Sequence, residues 1–163
     1  MASKAVQEDF SSVSSAWSDK QVPNRPFWAI QTCTASYPLP RVKTLELNHV
    51  AIHVKDVAAS CAFYGDILKL DPLPRPAFTF PGAWFRLGIV QELHIIGERG
   101  EPVFSHNRGN HFALRVDDLD KWEKHLDAHS YPHLPRKERP DGILQLFLKD
   151  PDGHVIELFA PPL

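Results

Sequence analysis

An α+β fold made of two copies of one β-α-β-β-β unit is what this 163-residue sequence predicts, and three observations predict it. Ligand-type residues recur on one internal ruler: His49 and His94 lie 45 positions apart, His111 and Glu157 46. Residues 47–54 and 111–116 both alternate large aliphatics with small or polar side chains, the period of a half-buried strand. Each of these runs is followed by an aspartate and an apolar stripe at helical spacing.

In the first copy, Val50, Ile52 and Val54 share one face of the opening strand, and His49, Ala51 and His53 the other. Asp56 caps a helix to about residue 70, with Val57, Cys61, Tyr64 and Leu68 forming its stripe. Pro72, Pro74 and Pro76 confine the next segment to an edge or a loop, because proline cannot donate to a ladder. Strands over residues 84–87 and 92–96 complete the unit.

The second copy repeats the order. Phe112, Leu114 and Val116 oppose His111, Ala113 and Arg115 on its first strand. Asp117 or Asp118 caps a helix to about residue 129, with Leu119, Trp122 and Leu126 inward. His125, His129 and His133 read as surface residues, and His106 and Arg108 as part of a mobile loop. A strand over residues 143–148 leads into Asp150-Pro151-Asp152-Gly153, a turn with Pro second and Gly fourth. A last strand covers residues 154–159.

Residues 44–163 are long enough for one domain with a core of its own. Residues 1–43 differ: serines and Pro23, Pro26, Pro38 and Pro40 predominate. Their Phe10, Trp17, Phe27, Trp28 and Tyr37 suggest an N-terminal arm with a flexible start, docking on the domain or on a partner subunit. A net charge of −2 argues against nucleic-acid and membrane-surface partners. No apolar run reaches the roughly 20 residues of a membrane span. Cys33 and Cys61 are too few for a disulfide framework, and read as reduced thiols of a cytoplasmic protein.

Period-2 geometry places chemistry. The aliphatic faces need helices to cover them, so the histidine faces turn to the other, concave side of the sheet. His94 alternates with Leu93 and Ile95, and Glu157 with Ile156 and Leu158, so all four candidates point there. Imidazoles and a carboxylate gathered without partners would be costly, and a divalent cation removes that cost. Nickel, cobalt, zinc, iron and manganese suit such a set. Three or four protein ligands leave positions open for substrate, where the ion would act as a Lewis acid and Glu157 as general base.

Residues 45–160 resemble the vicinal oxygen chelate superfamily, which holds glyoxalase I, fosfomycin-resistance thiol transferases, extradiol dioxygenases and bleomycin-binding proteins. The matching segments are Leu47-Asn48-His49-Val50-Ala51-Ile52, Phe63-Tyr64, Gly82-Ala83-Trp84, Asn110-His111-Phe112, and Asp150-Pro151-Asp152-Gly153 followed by Ile156-Glu157. The resemblance implies paired βαβββ modules in a pseudo-twofold, eight-stranded cupped mixed sheet, usually dimeric, around one divalent metal. It places ligands at His49, His111 and Glu157, with His94 at a variable fourth place as ligand or acid–base residue. His53, Trp84, Arg115 and Phe147 are the expected substrate contacts.

The leading expectation is glyoxalase-like lyase or isomerase chemistry on a small substrate chelated through adjacent oxygens, a thiol adduct among the candidates. Glyoxalase I has a glutamate where His94 stands. An Fe(II) extradiol-type dioxygenase is the second reading, with Phe147 standing where those enzymes place a tyrosine. A bleomycin-type binding protein that sequesters its ligand is the third.

Overall fold

A computed structural model describes residues 42–161. The chain divides into Met1–Lys43 and Thr44–Leu163. The expected N-terminal arm therefore lies, but for its last two residues, outside the described residues.

The second unit opens with β1 (His49–His53), where β-branched residues alternate with small or polar ones, and α1 (Val57–Ala62) follows. Asp56 caps α1 as expected, its carboxylate accepting from the Ala58 and Ala59 amides. The helix does not run regularly to residue 70. It widens into a π-helical turn at Phe63–Ile67, which buries the adjacent Phe63 and Tyr64 together. Then come β2 (Pro72–Leu73), β3 (Gly82–Leu87) and β4 (Gln91–Ile96). The prolines reduce β2 to a two-residue edge strand.

The second module has β5 (His111–Arg115), α2 (Leu119–Ala128), β6 (Lys137–Glu138), β7 (Leu144–Lys149) and β8 (Val155–Ala160). Asp118 is the cap of α2, and Leu119 and Leu126 are buried. Gly153 N donates to Asp150 O at 3.0 Å and Gly153 has φ +98°, so the aspartate turn is closed by the one residue type free to adopt that angle.

Each module is its own four-stranded mixed sheet, ordered β1-β4-β3-β2 and β5-β8-β7-β6. This is the two-module α+β fold that the sequence predicts, with one difference: among the described residues no ladder joins the sheets into a continuous eight-stranded cup. The closing strand of each module pairs in parallel with its opening strand, leaving β1 and β5 each with one free edge. Open space remains at the join. Val50, His111 and Phe112 line both of two spaces there, of about 800 and 510 Å³.

What holds the modules together is one shared core and a set of polar ties. Ile52, Val54, Tyr64 and Leu93 pack in one cluster with Leu119, Leu126, Leu146 and Ile156. Asp150 and Asp152 of the turn reach across to the first module. Asp150 Oδ2 accepts from the Tyr64 hydroxyl at 3.0 Å, and Asp152 accepts from the Lys55 amide and, at 2.6 Å, from the Arg99 guanidinium. His154 Nε2 lies 3.0 Å from the His53 carbonyl. The helix-bearing faces thus meet in the core, and His49, Ala51, His111 and Ala113 are left exposed on the others.

Candidate functional site

In the first module, β4 lies between β1 and β3, with His94 opposite Ala51 on one side and Trp84 on the other. Alanine leaves room, and the His94 ring is sandwiched. It stacks on Trp84 at 4.1 Å and 7°, and on His49 at 4.3 Å and 14°. Its Nε2 is 2.9 Å from Glu92 Oε2, and Arg86 lies 3.8 Å from the other oxygen of Glu92. His49 Nδ1 donates to Asn48 Oδ1 at 2.8 Å, which leaves Nε2 of His49 with its lone pair.

The second module repeats this layout with different residues. Ala113 stands opposite Glu157, and Phe147 opposite it on the other side. His111 Nδ1 donates to Gly109 O at 3.1 Å, so its Nε2 turns a lone pair towards Glu157 Oε2, also 3.1 Å away. Gln145 Nε2 donates to Glu157 Oε1 at 2.8 Å. Phe147 meets the His111 ring edge-on at 5.7 Å. Glu157 is 6% exposed.

His111 and Glu157 are a pair of residue types that bind divalent cations. His111 Nε2 and Glu157 Oε2, 3.1 Å apart in a part-buried place, need a proton or a metal between them. The spacing is one that two neighbouring ligands, each about 2.1 Å from an ion, can span. His49, His111 and Glu157 each have one atom held by an outer partner and one left over, the arrangement that fixes ligand orientation. His94 differs. Its Nε2 is engaged by Glu92, and two near-parallel rings send their in-plane lone pairs side by side rather than to one point.

The four sequence candidates come together as two pairs, His49 with His94 and His111 with Glu157. Among the described residues no three His, Cys, Asp or Glu side chains are grouped to hold one ion within a chain. Trp84 and Phe147 occupy equivalent places against the two pairs. Arg115 lies on the Glu157 face, opposite Phe159 and exposed. His53 Nε2 lies 2.7 Å from Gly97 O, so that ring ties backbone rather than facing a substrate.

Three residues of the two clusters escaped the sequence reading: Asn48, Glu92 and Gln145. Glu92 stands two positions before His94, which alternation alone puts on the same face; Gln145 needed the β7–β8 register. Of the three histidines expected at the surface, His129 is exposed, and His125 and His133 are half-buried and engaged by neighbours. His125 Nε2 contacts Ile67 O at 2.9 Å across the modules, and His133 is paired with Asp127 and bridged to Leu148 along the β7 edge.

Residues 46–158 match the family model of the glyoxalase/bleomycin resistance protein/dioxygenase superfamily. The chain is 31% identical over 119 residues to a protein named glyoxylase I 4 from Arabidopsis thaliana, covering 69% of this chain and 68% of that protein. It is 32% identical over 126 residues to metallothiol transferase FosB from Staphylococcus epidermidis, covering 72% and 82%. Among solved structures, a glyoxalase family protein from Bacillus anthracis superposes with a TM-score of 0.64 at 25% identity, covering 74% of this chain and 98% of that one. Lactoylglutathione lyase from Agrobacterium tumefaciens gives 0.56 at 20% identity, covering 76% and 96%, a likeness of fold.

Proposed function

From the premise that the chain belongs to the glyoxalase/bleomycin resistance protein/dioxygenase superfamily, we propose that it is a divalent-metal-dependent enzyme whose ligands are His49, His111 and Glu157, acting on a small substrate with adjacent oxygens. The single observation that carries this reading is the approach of His111 Nε2 to Glu157 Oε2 at 3.1 Å, with the other donor atom of each side chain held by an outer partner. A second copy of the chain supplies the missing ligand: the His49 face of one copy meets the His111–Glu157 face of another. Support comes from the position of both pairs on core-free sheet faces, with no third ligand grouped with either pair among the described residues.

A bound divalent ion supplies Lewis acidity and a template for two substrate oxygens. The chain's own residues do the rest. Glu157 would act as the base only on leaving the ion, taking and returning a proton at Oε2 while Gln145 keeps hold of Oε1. Trp84 and Phe147 flank the two pairs and exclude water. His94, fixed by Glu92 and Trp84, stays off the ion and faces the substrate. The metallothiol transferase relative favours a thiol or thiol adduct as substrate. In the dioxygenase alternative the aromatic beside Glu157 would carry a hydroxyl, and Phe147 has none.

The test is elemental analysis of protein purified without added metal, beside His111→Ala and Glu157→Gln. About one ion per chain is expected, lost in both variants. No ion after reconstitution with nickel, cobalt, zinc, iron or manganese in turn would sink this reading and leave a metal-free binding protein.

A further inference from the structure

The two half-sites are built alike at their centres and unlike at their margins. The segment after β2 carries Arg75, Phe78 and Phe80, whereas the corresponding margin of the second module carries Arg136, Lys137, Glu138 and Arg139, with no aromatic residue between β6 and β7. Phe78 and Phe80 stack at 5.2 Å, and Phe78 lies 6.1 Å from Trp84. Trp84 in turn covers His94, and His94 covers His49. An unbroken run of rings therefore leads from the sheet margin to a proposed ligand.

Phe78 is 46% exposed, yet it is held. The Arg75 guanidinium sits 4.6 Å over its ring and 4.9 Å over that of Phe80, and donates to the Phe80 carbonyl at 3.0 Å. Gly82 makes this possible, because a Cβ there would come within 3.2 Å of that guanidinium and 2.3 Å of Ile95 O. A clamped, solvent-facing aromatic next to a half-site is a preorganised contact surface rather than core.

We propose that Phe78 and Trp84 form a specificity wall that takes a flat, aromatic arm of the substrate, the arm being attached to the oxygen-bearing end. The inference deepens the proposed function and rests on its ligand set only for the position of those oxygens. The margin beside the other half-site, carrying Arg136, Lys137 and Arg139, offers no such surface, so the arm has one direction in which to lie.

The test uses mandelate and lactate, which share a hydroxyl and a carboxylate on adjacent carbons and differ by phenyl for methyl. Calorimetry on the full-length protein, zinc-loaded and zinc-free, should give about tenfold tighter binding of mandelate in the loaded state. Phe78→Ser should bring the ratio near unity, and Phe78→Tyr, which keeps the ring, should retain it. Mandelate no tighter than lactate, including no detectable binding of either, or a preference untouched by Phe78→Ser, overturns the wall. The zinc content of the same samples reads the ligand set separately, so the two failures are distinguishable.

Discussion

The Tyr64 hydroxyl donates to Asp150 Oδ2 at 3.0 Å, joining the π-helical turn of one module to the aspartate turn of the other with both side chains buried. Asp150 also accepts from the amides of Asp152 and His154, so one carboxylate shapes its own turn and anchors the neighbouring module. Burial and the Asp150 charge push the Tyr64 phenol far above its ordinary value. Burial, with help from Asp150, also raises Tyr131 to about 12.

Both phenols are held protonated more tightly in the folded chain than in the unfolded one. Stability from them is therefore intact below about pH 10, the unfolded value, and falls as pH rises from there through about 12. Urea unfolding between pH 9 and 12 should show that decline, and Tyr64→Phe should flatten it. At pH 7 the same variant should lose about 1–3 kcal/mol, because Asp150 Oδ2 is left buried without its donor.

Mixing two inactive variants checks whether sites are shared between copies. His49→Ala spoils only first-module faces and His111→Ala only second-module faces. After unfolding and refolding together, a mixed dimer has one intact site, so about a quarter of the wild-type metal content should return (random pairing, two sites per dimer). No recovery in a protein that sediments as a dimer would place each site within one chain.

The outer partners should separate ligands from bystanders. Gln145→Ala and Asn48→Ala should each weaken metal affinity by roughly 10–100-fold, measured by chelator competition. Glu92→Gln and His94→Ala should leave metal content at its wild-type level. Loss of the ion in His94→Ala would restore His94 as a fourth ligand.

Gly82→Ala offers a structural control at the base of the aromatic wall. Its Cβ would fall 2.3 Å from the Ile95 carbonyl oxygen, a contact that the β3–β4 ladder must spread to admit. The variant should be destabilised by about 1–3 kcal/mol in denaturant unfolding. A change within about 0.5 kcal/mol would show that the ladder yields easily.

The sequence by itself determined the two modules, their strand faces and their helix caps, because these follow from local rules. Alternation at Val50/Ile52 and Phe112/Leu114 marks the core side, Asp56 stands where the cap of α1 is needed, and the structure selects Asp118 over Asp117 as the cap of α2. The equivalence of His94 and Glu157 was legible from spacing, since they follow His49 and His111 by 45 and 46 positions. Only the tertiary structure decided how the modules join. Tyr64 and Asp150 are 86 positions apart, and Asp152 and Lys55 are 97, so nothing in either neighbourhood announces the contact. Nor does periodicity say which ring nitrogen of His94 is already engaged by Glu92, or that Gln145 holds Glu157. Such pairings depend on register between strands distant in sequence, and register is fixed by the packing of the whole sheet against its helices rather than by any one segment.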